Sequence, residues 1–457
     1  MLRFGRMPDR GIKSLTGEAL TLALADAGLD ARRIESAWFA NSGWGANGGQ
    51  DSIRGEVALR AAGMGAIKVV NVENACAGGA TALHGAWLDI ASGEHEVAIA
   101  IGAEKLVQSS RLRTFASFLG GMDVEALPSL LAMARSLGDG APAPKPAPAL
   151  RPSRRVRRGR WASIRALPSM LRDAMVIADR YHLDLAALAK DAARSRLRAG
   201  FRGDGGRSPF MDVYAIAARR HMAQFGSTAR QLAVIAAKNR QHGSLNPLAQ
   251  VQREMTADEV LADALVASPL TRAMCAPIGD GAAAAIVCSE RFARTHGLSR
   301  AVRIRASVLT SGARNDIDRD DGEVGIAERA SRRAYEIAGL GPDSISLAEV
   351  HDATAFGELH QAEALGFCAE GQGGAFAESG ATRLGGRQPL NTSGGLESRG
   401  HPIAASGLAQ VHELVTQLRG EAGPRQVQRA RVALAQNGGG FLGAEEAAMG
   451  IHVLEAP

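Results

Sequence analysis

An α/β protein built from two similar halves is the fold this sequence predicts, on three observations. Strand-like and helix-like segments alternate through the first hundred residues. The last third of the chain repeats their spacing. The length, 457 residues, suffices for two or three domains with sizeable cores. Composition agrees: 46% of residues are hydrophobic, 22% are charged, and 54 glycines point to many tight turns.

Leu15–Gly28 reads as an amphipathic helix, with Leu20, Ala23, Leu24 and Ala27 on one face and Gly28 to end it. Ile34–Asn41 follows as a strand and Ser52–Ala62 as a helix. Ile67, Val69, Val70 and Val72 form a strand that runs into Asn74-Ala-Cys76-Ala-Gly-Gly, and a helix carrying Leu83, Trp87, Leu88 and Ile90 comes next. Val97–Ile101 is a further strand. Strands separated by helices at this spacing imply a largely parallel sheet covered on both faces.

From about Val107 to Gly206 the pattern dissolves into an inserted, mostly helical excursion. Ala141–Ala149 is a proline-rich linker, flanked by expected helices at Ala126–Leu137 and Pro168–Ala193. Asp212–Asn239 reads as one long helix, and Ala282–Cys288 as a buried strand after Gly279-Asp280-Gly281. The N-terminal half is therefore placed at 1–290, with the insertion at about 107–206, and the C-terminal half at 291–457.

The repeat is explicit. Gly17–Ile34 aligns with Glu328–Ile345 at a constant offset of 311, which matches Gly28 with Gly339 and Leu29 with Leu340. Later, Ser92-Gly-Glu94 answers Arg419-Gly-Glu421 at an offset of 327, which brings Cys76 within a few residues of His401. Strand Val302–Leu309 opens the second half, and its counterpart would precede residue 1. This suggests a natural start upstream of Met1.

The formal charge is +6, and residues 151–160 hold six arginines. Such a block reads first as a solvated tether and next as a site for a phosphorylated small molecule. Nucleic acid comes last, since no aromatic interleaving or groove-reading motif accompanies it. The four cysteines, at 76, 275, 288 and 368, lack paired spacing, and there is no H-E-x-x-H, so no metal site is expected. Reduced thiols, no signal-peptide pattern and no apolar run long enough for a membrane span point to a soluble, cytoplasmic protein without membrane insertion.

Four stretches carry residue types that packing does not require. Cys76 stands where a strand gives way to a helix, near the positive end of the helix dipole, which favours the thiolate. His351 ends a strand in Glu349-Val-His351-Asp-Ala-Thr-Ala-Phe-Gly-Glu358, where α/β proteins place ligands. His401 lies in the glycine-rich Asn391–Pro402, and Gln436-Asn-Gly438-Gly-Gly440 is a backbone-rich loop after strand Arg431–Ala435. A cysteine, two imidazoles and free backbone N–H groups suffice for acyl transfer.

With these motifs in family order over nearly the whole chain, the sequence resembles the thiolase superfamily. It is most similar to the sterol-carrier-protein-2 type and the bacterial acetyl-CoA acetyltransferase-like members. The resemblance implies a five-layered αβαβα architecture of two duplicated halves with a helical loop domain at the insertion, whose basic residues would meet CoA phosphates. It implies an acyltransferase that cleaves 3-ketoacyl-CoA, or forms it by Claisen condensation, through an acyl-cysteine. Cys76 resembles the nucleophile, and His401 the base that keeps it reactive and donates to the first oxyanion. His351 resembles the histidine that replaces the asparagine of other thiolases. The N–H groups of Cys76 and Gly438 resemble the second oxyanion hole. No permanently bound cofactor is implied; CoA and acyl-CoA are substrates. A homodimer or dimer of dimers is implied, with a small zinc-ribbon/OB-fold protein as a possible partner.

One departure stands out. Thiolases use a second cysteine to move a proton of the incoming nucleophile, either in the last glycine-rich loop, where this chain has Gln436, or two residues after the histidine, where it has Ala353. Cys368 reads as packed core, and Glu358 is a possible substitute base. The alternatives are a ketoacyl-synthase-like condensing or retro-aldol enzyme, and a non-catalytic acyl-CoA-binding subunit.

Overall fold

The computed structural model describes residues 1–108, 114, 118–125, 209–313, 324–442 and 445–457. The expected helices at Ala126–Leu137 and Pro168–Ala193, the proline-rich linker and the arginine block lie outside the described residues.

Two four-stranded sheets carry the fold. The first contains β1 (Ser36–Ala40), β2 (Lys68–Val72) and β3 (Val97–Glu104). After a small hairpin of β4 (Leu265–Ala267) and β5 (Leu270–Thr271) comes its last strand, β6 (Gly281–Cys288). The order is β2-β1-β3-β6, with β1 parallel to β2 and β3, and β6 antiparallel to β3. All of β3 is buried, which is why Val97–Glu104 reads as a continuous run of small and apolar residues. Leu2 lies beside β6, its N–H donating to Ala282 O at 3.0 Å.

The second sheet contains β7 (Arg303–Ser311), β8 (Leu347–Glu349), β9 (Val432–Leu442) and β10 (Glu445–Glu455), in the order β7-β10-β9-β8. Here β8 and β9 are parallel, while β10 is antiparallel to both β9 and β7. The largely parallel sheet expected of the first half is found in β2-β1-β3, with β6 antiparallel at its edge, while the second sheet is mixed. The two residues between β9 and β10 are too few for the crossover that a parallel partner needs.

Helices Gly78–Ala91 and Ser406–Leu418 touch each other and strands of both sheets, so they lie between them. Helix Ile12–Ala27 covers β3 and β6, Arg54–Ala61 covers β2, and Ile326–Ala338 covers β7 and β10 from outside. The central contact is close: a Cβ on Gly79 would stand 2.8 Å from Ala404 O, and one on Gly102 only 2.0 Å from it. Small residues there are a steric requirement.

Three segments differ from the sequence reading. The long helix expected over Asp212–Asn239 is two, Pro209–Phe225 and Ala229–Ser244. Gly226 sits at φ 76, and Thr228 starts the second helix with a capping box to Gln231. The glycine run at Gln436–Gly440 is not a loop but part of β9. β10 was not foreseen, because its opening Glu-Glu-Ala-Ala shows no strand alternation.

Candidate active site

Cys76 follows β2 in a tight turn, Ala75–Ala77, that leads into helix Gly78–Ala91. Ala75 is held at φ 46, a left-handed conformation that a side chain rarely adopts. Its N–H donates to Glu73 Oε1 at 2.7 Å, an oxygen that also accepts from Ser42 Oγ at 2.7 Å. Behind the turn β9 passes so closely that a Cβ on Gly439 would stand 2.3 Å from both Asn74 O and Ala77 N. The glycine run therefore serves first to let one half of the chain reach the cysteine turn of the other.

His401 Nε2 lies 3.2 Å from Cys76 Sγ, and its Nδ1 lies 2.7 Å from Ser406 Oγ. The Ser406 hydroxyl donates to Pro402 O at 3.0 Å, so towards His401 it must accept. That puts the imidazole proton on Nδ1 and leaves Nε2 bare for the thiol. His351 is set the other way. The Asn437 side-chain amide donates to its Nδ1 at 3.1 Å, so the ring carries its proton on Nε2 as a donor. The two rings meet edge to face with centroids 5.2 Å apart. One ligand atom from each of Cys76, His351 and His401 lies within 4.8 Å of the others, a set whose chemistry also suits a soft divalent cation.

The expectation of a resting thiolate is corrected. Burial, reinforced by the negative charges of Glu73 and Glu104, pushes the Cys76 thiol up to about 12. Burial and the Arg399 guanidinium lower His351 to about 3, while burial, His351 and Arg399 hold His401 well below the usual imidazole range. The resting pair is therefore a neutral thiol facing a neutral base. The backbone N–H groups of Gly440 and Cys76 face the sulfur and oppose the rise. Gly438, the expected donor, lines the same cavity but lies opposite Met449 in the β9–β10 ladder. Gly440, two residues later at φ 66, lines it as well.

These groups open onto a cavity of about 490 Å³ whose walls include Phe118, Phe210, Tyr214 and Phe441. Ala353 also lines it, and offers no titratable group. Gln436 turns away: its Oε1 accepts from the His351 backbone N–H at 2.8 Å, and its Nε2 lies 2.8 Å from Met449 Sδ. Cys368 packs at the edge of the second half's apolar core. Glu358, expected as a possible base, is excluded by its partners. It is ion-paired with Lys238 and accepts from Asn239 Nδ2 at 2.9 Å and Asn391 Nδ2 at 2.8 Å. Asp280 of the Gly-Asp-Gly motif is a structural clamp, binding Lys105 Nζ at 2.6 Å and the N–H groups of Met7, Leu106 and Val107.

The sequence reading assigned no role to Ser406, Asn437, Gly440, Tyr214 or Glu446. Ser406, five residues after His401 at a helix start, carried a recognisable signal. The others are brought to the site only by folding.

Family models match two stretches, a thiolase N-terminal domain over residues 2–126 and a thiolase C-terminal domain-like region over 311–451. The chain is 32% identical over 443 residues to an acetyl-CoA acetyltransferase of Methanothermobacter thermautotrophicus, covering 96% of this chain and 94% of that one. It is 30% identical to the benzoylsuccinyl-CoA thiolase subunit BbsB of Thauera aromatica, covering 93% and 90%. Sterol carrier protein 2 of Rattus norvegicus is 41% identical over 230 residues, which span 49% of this chain and 42% of that longer protein. Among solved structures, an Ltp2-ChsH2(DUF35) aldolase shares the fold, with a TM-score of 0.68 at 21% identity over 99% of this chain and 95% of that one.

Proposed function

The chain belongs to the thiolase family, and from that premise we propose that it is a CoA-dependent acyltransferase that carries its acyl group on Cys76. The observation that supports this best is the 3.2 Å contact between Cys76 Sγ and His401 Nε2, with Ser406 holding the tautomer that makes Nε2 the base. A neutral thiol beside a neutral imidazole transfers its proton as the sulfur attacks a carbonyl carbon, so the thiolate exists only in the presence of substrate. The acyl oxygen of the resulting tetrahedral intermediate would be held by the N–H groups of Cys76 and Gly440. Losing one such donor costs roughly 3–4 kcal/mol of barrier. His351 Nε2–H would donate to the carbonyl oxygen of the second thioester, stabilising its enolate.

Cleavage of a 3-ketoacyl-CoA is the first choice of direction. The stacked helices and sheets are read as the five-layered arrangement of two duplicated halves, with the N-terminal half at 1–290 and the C-terminal half at 291–457. A homodimer or dimer of dimers is the proposed assembly, and a small zinc-ribbon/OB-fold protein a candidate partner. The decisive experiment incubates the protein with acetyl-, branched-chain and aromatic acyl-CoA and measures intact mass. An acyl adduct that disappears in Cys76→Ala is expected. No adduct with any donor would count against the covalent mechanism.

A further inference from the structure

The cavity contains a carboxyl group that the reaction above leaves unused. Glu446 is the second residue of β10 and lines the cavity together with Cys76, His351 and His401. Its neighbour Glu445 turns the other way and accepts from the N–H of Ile326 at 2.6 Å, at the start of a helix, and from that of Ala313 at 2.9 Å. The Glu446 side chain lies over the glycine run: a Cβ on Gly438 would be 3.0 Å from its Cγ and 3.3 Å from its Oε1. The Gly440 N–H that reaches Cys76 is two residues further along the same strand. The carboxyl's side-chain contact among the described residues is a long one, 3.5 Å from Gln361 Nε2. No cation neutralises it there.

Other titratable groups of the cavity are committed elsewhere. Glu73 holds the cysteine turn, Arg272 is paired with Asp263 at 2.7 Å, and the Cys275 thiol donates to Thr271 O at 3.4 Å. Tyr214 faces the same space, but burial and the nearby Glu446 keep its phenol protonated well above the usual range. A half-buried carboxyl with no counter-ion among the described residues loses part of its hydration without compensation, which favours its protonated form. Desolvation, with the charge of Glu445 adding to it, raises the Glu446 carboxyl from its ordinary value.

Resting on the acyl-cysteine reading, we propose that Glu446 is the second acid–base group of the reaction, in the role that neither Ala353 nor Gln436 can fill. In cleavage, Cys76 sulfur bonds to C3 of the ketoacyl-CoA, its proton passing to His401. The C2–C3 bond breaks, and its electron pair stays on C2 as an enolate. The Glu446 carboxyl gives its proton to C2, releasing acetyl-CoA. The thiol of incoming CoA then returns a proton to the Glu446 carboxylate as its sulfur attacks the Cys76 thioester. The bond to Cys76 breaks, and the sulfur recovers its proton from His401. Condensation runs the same transfers in reverse.

The test separates this role from the acyl-cysteine itself. Parent, E446Q and E446D proteins are compared for Cys76 adduct by intact mass, for turnover, and for deuterium exchange at C2 of acetyl-CoA in D2O. Acylation by thioester exchange asks of Glu446 only a proton for the departing CoA sulfur, which can leave as a thiolate, so the E446Q adduct should still accumulate, though more slowly. Turnover and C2 exchange should both fall by about 10²–10⁴-fold, as for loss of a general acid–base group, with partial recovery in E446D. E446Q retaining exchange and turnover within about threefold of the parent overturns the proposal. So does joint loss of adduct and turnover that E446D fails to restore, which would make Glu446 a structural element. Should E446Q not fold, E446D carries the test, with intact adduct and reduced exchange expected. An adduct missing from the parent itself overturns the underlying acyl-cysteine reading instead.

Discussion

On either side of His351 lie two regions rich in carboxyl groups, and they are built on opposite principles. Behind it, Glu358 is locked to Lys238, Asn239 and Asn391, while Glu349 is bound to Arg399 at 2.9 Å and to Ser393. In front of it, Glu446, Tyr214 and Cys76 share an open cavity, and the carboxyl has no ion-pair partner among the described residues. A buried charge that is fully paired holds structure, since removing either partner strands the other. One left unpaired in a cavity is available for chemistry. The comparison teaches that proximity to a motif histidine says little about a carboxylate's role; what the group faces decides it.

Substitutions should separate the two regions by what they damage. Cys76→Ala, on the cavity side, is expected to lower turnover by at least about 10⁴-fold. A thermal melt should show it folded, with a midpoint close to the parent's. Glu358→Ala, on the wall side, leaves the Lys238 ammonium buried and unpaired, and should cost about 3–5 kcal/mol in urea unfolding. A Glu358→Ala protein as stable as the parent would break the distinction.

Acid sharpens it further. His351, His242 and His452 all titrate near 3 in the folded protein, chiefly because burial disfavours the imidazolium. Unfolded, each takes its proton near the ordinary 6.5. The unfolded chain therefore binds protons first as pH falls, and the stability held above pH 6.5 drains away between 6.5 and 3. Melting temperatures across that range should fall steadily, and His351→Asn should flatten the slope by one imidazole's share. The smallest effect is expected for Ser406→Ala. Losing one hydrogen bond of about 1 kcal/mol loosens the His401 tautomer and should lower kcat several-fold, with KM unchanged.

Much of this could be read along the chain, and particular residues show where reading stops. Helix Ile12–Ala27 was legible from its apolar face at helical period, and strand β3 from its continuous run of small and apolar residues. β10 was not, because Glu445 and Glu446 open it with a polar pair whose two side chains go to different environments. The offset between halves placed Cys76 near His401, and the two are in contact. Glu358 looked like a base because Lys238, 120 residues earlier, is invisible from its neighbours. The positive φ at Gly440 could not be read from a row of three glycines.

What the amino-acid order alone determined is the set of reacting types and their frame: a cysteine at a strand-to-helix turn, one histidine after a strand and one in a glycine-rich loop, glycines where backbones must meet, and a repeat that pairs the halves. These follow from local sterics and periodicity, which act over a few residues. What only the tertiary structure decided is protonation and availability. The thiol rests neutral because it is buried near Glu73 and Glu104, His401 is a base because Ser406 donates elsewhere, and Glu446 has no ion-pair partner among the described residues. Each depends on groups far apart in sequence, since desolvation and charge act through space.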